Sequence, residues 1–238
     1  MTIGRILVVT PTYDERDNLP RFVRALFEAL PEADLLVVDD DSPDGTGVVA
    51  DALAAEDTRI RVLHRHGKRG LGSAYAEAFE RAMALGYDVV IQMDSDLSHD
   101  PRHLPAFCRA IDEGADVVLG SRAVPGGGVV GWGLGRRLLS SGGSWYARRV
   151  LGLGVRDLTT GFKALTRRAL DVLLTPRLRC NGYAFQIETT YRALRAGLPV
   201  IEIPITFVDR RVGQSKLDRW VFAEAVVAPW LLRAGLLG

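Results

Sequence analysis

An α/β fold with a mostly parallel central sheet is what this sequence predicts, and three features predict it. Short runs of Val, Ile and Leu recur between turn residues. Each run is followed by a helical pattern, and unusual polar residues cluster directly after the runs. Strands that are apolar at every position suit a sheet covered by helices on both faces, where alternation is lost because neither face meets water.

The elements follow in order. Residues 5–11 (RILVVTP) read as the first strand, followed by a helix towards Leu30 that Asn18 is placed to cap. Residues 34–40 (DLLVVDD) form the second strand, then the turn SPDGT, then a helix with Thr46 at its cap. Residues 59–65 (RIRVLHR) are the third strand, and residues 72–86 (GSAYAEAFERAMALG) a helix stopped by its final glycine. Residues 88–94 (DVVIQMD) give the fourth strand, 103–114 the next helix, and 116–122 (DVVLGSR) the fifth strand.

After Arg122 the order loosens. Residues 123–135 (AVPGGGVVGWGLG) read as an irregular glycine-rich loop, followed by a helix over 136–151 and the segment DLTTGFKAL. A further helix spans 183–196. Residues 198–208 (LPVIEIPITFV) read as an edge strand, since a central strand would not tolerate the prolines. With no internal repeat, the chain is expected to be one domain over 1–238. It divides into a first half over about 1–122, a second over about 123–216, and an amphipathic helix over 217–238.

Composition narrows the function. The 238 residues are 47% hydrophobic and 25% charged, with a formal net charge of +1. That balance lacks the basic excess of a general nucleic-acid binder, and no nucleic-acid partner is expected. Cys108 and Cys180 are too few for a disulfide framework or a cysteine metal site, which makes a reducing, cytosolic compartment the expectation. No signal peptide is expected, and no apolar run reaches the roughly 20 residues of a membrane span. The nearest, from Val221, is interrupted by Glu224, Pro229 and Arg233. A peripheral position on a membrane stays open.

In an open α/β sheet, ligands bind beyond the carboxyl ends of the strands. Here those ends carry TPTYDERDN, DDDSPDGT, DSDLSHD and GSR, which marks a site. Asp39 stands where a dinucleotide-binding fold places its ribose acid, but the first turn lacks the glycines that admit a pyrophosphate. Gly126, Gly128 and Gly131 fit G-x-G-x-x-G only inside the long loop. GKRGLGSA has Lys68 at the wrong glycine for a P-loop.

Asp94 and Asp96 project to one side of their strand end. They can be an acid/base pair, a clamp for a cation, or a solvated strand lip. Two adjacent carboxylates repel unless protonated or bridged by a cation. With Ser95, Ser98, His99 and Asp100 expected to keep the neighbourhood wet, a shared Mg²⁺ or Mn²⁺ is favoured, since these ions take oxygen ligands, water and substrate phosphates. His99 is expected to orient the turn rather than bind metal; His64 and His66 read as surface residues. The stretch with Trp132, Arg136, Arg137, Trp145, Tyr146, Arg148 and Arg149 suits a membrane interface or core packing with exposed arginines. Trp220 and Trp230 pose the same choice.

Taken in order, PTYDERDN, VVDDDSPDGT, KRGLGSA, MDSDLSH, GSR, DLTTGFK, GYAFQIE and FVDRRVGQSK resemble the dolichol- or polyprenol-phosphate mannose synthases. These are inverting glycosyltransferases of GT-A fold in glycosyltransferase family 2. The likeness runs from about residue 5 to 217. It implies a GDP-mannose donor, a polyprenyl or dolichyl phosphate acceptor and a Mg²⁺ or Mn²⁺ cofactor. It places Pro11, Tyr13, Glu15, Val38, Asp39 and Asp40 on the nucleotide, and Asp94 and Asp96 on the metal. Ser98 stands where the family has Gln or Ser as a third ligand. Arg122, Arg136, Arg210 and Lys216 would face the donor and acceptor phosphates, with Asp96 and these four basic residues forming the catalytic set. Asp157, Gln186 and Glu188 match motifs of the acceptor side. Relatives with C-terminal membrane helices exist, so this chain resembles the short form, peripheral on the cytoplasmic face and acting alone or with a separate membrane-anchoring protein. The rival readings are a polyprenyl-phosphate glycosyltransferase using UDP-glucose or another UDP-sugar, and a nucleotide-sugar-binding subunit without activity. A nucleotidyltransferase lacks support, there being no triphosphate loop.

Overall fold

The computed structural model describes residues 3–67, 70–209 and 219–237, with backbone alone over 219–223. Its strands are β1 (Ile6–Thr12), β2 (Asp34–Asp39), β3 (Ile60–His64), β4 (Val89–Gln92), β5 (Val117–Ser121), β6 (Gly128–Val130), β7 (Lys163–Thr166), β8 (Val200–Pro204) and β9 (Thr206–Val208). Between them lie helices α1 (Leu19–Ala29), α2 (Thr46–Glu56), α3 (Leu71–Ala84), α4 (Leu104–Asp112), α5 (Leu134–Leu151), α6 (Arg167–Leu174), α7 (Gly182–Arg195) and α8 (Arg219–Arg233). Seven strands form one sheet in the order β3-β2-β1-β4-β7-β5-β8. All neighbours pair in parallel except β7, which runs antiparallel to both β4 and β5. The architecture is α/β with a mostly parallel sheet.

The all-apolar strands are explained by what covers them. Along β1, Val8 faces a core with Phe22, Leu26, Ala50 and Phe107 from α1, α2 and α4. Its neighbour Val9 faces a second core with Tyr75, Phe79, Leu170, Phe185 and Leu232 from α3, α6, α7 and α8. Successive strand residues point to opposite faces, so both must be hydrophobic. Helix α1 shows the matching periodicity, burying Leu19, Phe22, Val23 and Leu26 at helical spacing. Each such side chain contributes about 1.5–3 kcal/mol.

Several local expectations are corrected. The Asn18 side chain does not cap α1; its backbone is helical and its amide donates to Glu15 Oε2 at 2.7 Å. Thr46 is the first residue of α2, not its cap, and the Asp44 carboxylate receives both its N–H and its hydroxyl. Residues 123–135 are not wholly irregular: β6 pairs in parallel with β9 as a second, two-stranded sheet. The single edge strand expected over 198–208 is two strands. Pro204 ends β8, and the buried Ile205 donates its N–H to Ser121 O, turning the chain out of the main sheet. β7 and α6 were not expected at all. Trp132 precedes α5 and is buried against Phe207, so it packs in the core and not on the helix face.

Candidate active site

The strand order places the polar clusters side by side. The carboxyl ends of β2, β1 and β4 are neighbours, and strands lie about 4.8 Å apart. The Asp39 and Asp94 edges are therefore roughly 10 Å from each other, a span suited to an extended ligand across the β1 end. Three non-glycine residues at these ends, Asp14, Asp41 and Leu97, have positive φ, at 57°, 60° and 60°. That conformation is disfavoured for side-chain-bearing residues and concentrates where function constrains the backbone.

On the β1–β2 side, Pro11 and Val38 are register partners, as are Thr12 and Asp39. Asp39 Oδ1 accepts from the Thr12 hydroxyl (3.0 Å) and the Ser42 hydroxyl (2.5 Å), and Oδ2 from Ser42 N–H. Its orientation is fixed by the neighbouring β1 end and by its own loop. Asp40 is held by the buried Arg65, whose Nη1 lies 2.6 Å from Asp40 Oδ1 and whose Nη2 reaches Ser73 Oγ. Glu15 receives the Asn18 amide, and its N–H donates to Thr46 Oγ1 at 2.9 Å. Tyr13 and Glu15 follow the β1 end directly, beside the β2 end that carries the buried Asp39 and Asp40.

At the β4 end, the Ser98 N–H donates to Asp96 Oδ1 (3.0 Å), which orients that carboxylate through the Leu97 turn. Asp94 is about two-fifths exposed at its side chain. The wet surroundings expected here are absent: Ser95, Ser98 and His99 are buried. The reason is distant in sequence. Phe162 stacks on His99 at 5.1 Å and Phe207 meets its edge at 5.4 Å. Burial pushes the His99 imidazole down to about 4, against the pull of Asp96, so the ring is neutral at physiological pH. His99 Nδ1 lies 3.4 Å from the Asp94 N–H, in keeping with an orienting role.

These residues suit a hard divalent cation. Both carboxylates are accessible, and Ser98 Oγ is a buried oxygen without a hydrogen-bond partner beside them. Among the described residues no cluster of three His, Cys, Asp or Glu side chains could hold a metal. An ion here would be completed by water and ligand phosphate, as Mg²⁺ and Mn²⁺ characteristically are.

Beyond β5, Arg122 forms a two-pronged ion pair with Asp157: Nε to Oδ2 and Nη2 to Oδ1, both 2.7 Å. The Arg122 N–H also donates to Asp157, and Nη2 reaches Thr159 Oγ1. Burial works against both charges, but these bonds outweigh it, holding Asp157 below the usual carboxylate range and Arg122 above its own. Arg136 pairs with Asp209 at 2.7 Å and lies over the Trp132 ring. Arg210 and Lys216 lie outside the described residues. Glu188 is no site residue in this geometry; fully buried, it accepts from the Arg179 and Cys180 N–H groups and pairs with Arg192.

A cavity of about 540 Å³ opens on this side, lined by Arg122, Trp132, Arg137, Trp145, Arg148 and Arg156 among others. No described carboxylate pairs with Arg137, Arg148 or Arg156, so the cavity carries net positive charge. It adjoins the β4 end through a chain of rings: Trp132 against Phe207, Phe207 against His99. Arg156 and the Arg122–Asp157 pairing were missed in sequence, because only the fold brings them together.

A doubly covered sheet with one antiparallel insertion, and a carboxylate pair at its carboxyl edge, defines the GT-A class of sugar-nucleotide-dependent transferases. The chain belongs to glycosyl transferase family 2, whose sequence profile matches residues 7–174. A Micrococcus luteus protein named undecaprenyl-phosphate mannosyltransferase is 46% identical over 223 residues, covering 94% of this chain and 91% of its own. A Mycolicibacterium smegmatis protein named polyprenol monophosphomannose synthase is 45% identical over 235 residues, covering 98% and 89%. Among solved structures, glucosyl-3-phosphoglycerate synthase from Mycobacterium tuberculosis, in complex with Mn²⁺, UDP-glucose and phosphoglyceric acid, superposes with a TM-score of 0.69. The two are 22% identical, over 98% of this chain and 80% of that one, so the likeness is one of fold.

Proposed function

We propose that the protein transfers mannose from GDP-mannose to a polyprenyl or dolichyl phosphate, with inversion, giving polyprenyl-phosphate β-mannose and GDP. The observation that carries this reading is the arginine- and tryptophan-lined cavity adjoining the Asp94–Asp96 edge, in a chain whose near-full-length relatives are named for mannosyl transfer to such lipids. Pro11, Tyr13, Glu15, Val38, Asp39 and Asp40 hold the nucleotide. Asp94 and Asp96, with Ser98, hold Mg²⁺ or Mn²⁺ on the diphosphate. That ion supplies Lewis-acid stabilisation of the leaving group.

The chain's own residues do the rest. A phosphate monoester has a second pKa near 6 and is already a dianionic nucleophile at neutral pH, so no side chain need remove a proton. The difficulty is drawing one anion towards another. Arg137, Arg148 and Arg156 offset that repulsion on the acceptor side, with Arg136, Arg210 and Lys216 as further cations. Arg122, neutralised by Asp157, shapes the passage between the two phosphates. Attack opposite the leaving diphosphate inverts the anomeric centre.

The assay is direct. Purified protein, GDP-mannose and vesicles containing polyprenyl phosphate should yield the mannolipid with Mg²⁺ or Mn²⁺, and none with EDTA. Preference for UDP-glucose in the same assay would replace the donor. No glycolipid from either donor would leave a binding subunit.

A lipid acceptor requires a surface on the membrane. Leu134, Leu138 and Trp145 form one stripe along α5 and are 79%, 72% and 63% exposed. On α8, Val226, Val227 and Trp230 are exposed as well, and Tyr146 joins the two helices by accepting from Trp230 Nε1 at 2.7 Å. No described helix is long and apolar enough to cross a membrane. The apolar stripe beside Arg137 and Arg149 has the character of a surface that lies on a membrane, here taken to be its cytoplasmic face. The double variant Leu134→Glu/Leu138→Glu should bind anionic vesicles at least about a hundredfold more weakly, at about 1.5–3 kcal/mol per leucine. Unchanged co-flotation would remove this face from the membrane.

A further inference from the structure

Gln186 is one of two buried glutamines among the described residues whose amides have no hydrogen-bond partner, the other being Gln92 in β4, and the reaction as read so far leaves Gln186 unused. It is 2% exposed, and neither Oε1 nor Nε2 has a hydrogen-bond partner. Buried amides in native cores are almost always bonded, so an orphaned one marks a place that something else completes. Its position says where. A Cβ built on Gly161 would lie 3.6 Å from Gln186 Nε2, 3.7 Å from His99 Cε1 and 4.0 Å from Asp94 Oδ2. The amide, the imidazole and the metal-side carboxylate therefore border one small space over Gly161.

Two further features show that this space is built. Gly161 is not among the positive-φ glycines, and an added Cβ would meet nothing closer than 3.6 Å. Neither backbone nor packing demands glycine there; what its lack of a side chain provides is room. The Gln186 carbonyl is pinned from below by the fully buried Lys163, whose Nζ donates to it at 2.7 Å and to Thr189 and Thr190 at 2.8 and 2.9 Å. The hydroxyls of both threonines donate to the same carbonyl. Helix α7 is anchored at the residue whose side chain enters the site.

We propose that the Gln186 amide is a specificity-determining contact to the hydroxyl groups of the transferred sugar. A neutral group with donors and an acceptor matches hydroxyls, whereas it offers no charge for a phosphate. This rests on the reading of Asp94 and Asp96 as holders of the diphosphate and its cation. A hexosyl unit joined directly to that diphosphate falls beside Asp94, where the amide lies. The resemblance puts Gln186 on the acceptor side; the geometry points to the donor sugar.

The test separates sugar from nucleotide. Calorimetric titrations with Mn²⁺ compare a nucleotide with its sugar conjugate, GDP and GDP-mannose or UDP and UDP-glucose, whichever pair the wild type binds more tightly. Gln186→Met keeps volume and removes both hydrogen-bonding atoms. Its nucleotide affinity should stay within twofold while its nucleotide-sugar affinity falls about tenfold or more. One monodeoxy sugar analogue should bind variant and wild type alike, naming the hydroxyl that is read. Gly161→Ala, which fills the same space from the other side, should show the same split and decides the matter if Gln186→Met does not fold. Equal affinity of folded variants and wild type for the nucleotide sugar would overturn the proposal, as would parallel loss of nucleotide and nucleotide sugar. A wild type that binds neither pair would instead bring down the donor reading, and this contact with it.

Discussion

Asp96→Asn should lower turnover about a thousandfold at saturating Mn²⁺ while retaining the fold. The magnitude follows from the several kcal/mol that a cation contributes to a departing diphosphate, about 4 kcal/mol being a factor of a thousand. Asparagine is the informative replacement. Its side-chain oxygen can still accept the Ser98 N–H that Asp96 Oδ1 accepts, so the strained turn at Leu97 is kept and only the charge is lost. Alanine would release the turn too and confuse the two effects. The measurements are kcat for mannolipid formation and the Mn²⁺ concentration giving half-maximal rate. If the variant keeps more than a tenth of the parent's kcat, the carboxylate pair is a polar strand end and the cation, if any, is held elsewhere.

Asp157→Ala has the largest expected effect on stability, a loss of about 3–5 kcal/mol. The side chains of Arg122 and Asp157 are 11% and 3% exposed, and four hydrogen bonds from Arg122 reach Asp157 or its neighbour Thr159. Removing the carboxylate leaves a largely buried guanidinium at the cavity wall without its counter-charge, and it cannot shed its proton. For a chain of this size the loss corresponds to a fall in Tm of about 10 °C. The double variant Asp157→Leu/Arg122→Met should recover most of the stability, because it removes both charges together. It should not recover activity if Arg122 shapes the passage between the phosphates. Acid should act on the parent in the same direction. The Asp157 carboxyl is held below its unfolded value, so the stability it lends is present above about pH 4 and lost as pH falls through the lowered folded value. A single variant that melts with the parent would show the pair to be energetically idle.

Four of the first five strands, β1, β2, β4 and β5, were legible because each is an apolar run buried on both faces; β3, half-buried at the sheet edge, was legible from its β-branched and aliphatic residues between turns. β7 was not. KALT follows a polar turn, is only four residues long and runs straight into the amphipathic RRALDVLL of α6, so its period is unreadable. β6 was hidden inside a glycine run; its three residues become a strand only because β9 lies beside them. The site divides in the same way. Asp94 and Asp96 stand out locally, and the adjacent strand ends follow from the fold class. The dry setting of Ser98 and His99 depends on Phe162 and Phe207, far along the chain, and no local pattern announces it. Arg122 was visible as a cation at a strand end, but its partner is 35 residues away. Residue type was therefore readable and charge state in context was not.

The antiparallel β7 has a consequence for how the protein comes to exist. Residues 163–166 sit between β4 and β5, which precede them by more than forty residues. Until that short segment leaves the ribosome, β4 and β5 cannot occupy their final places, and each shows a bare hydrophobic backbone edge to whatever is nearby. The residues that form the carboxyl rim are all synthesised early, yet the rim closes late. A cut near residue 122 would thus yield a piece with the carboxyl ends of β1, β2, β4 and β5 and no finished sheet to hold them.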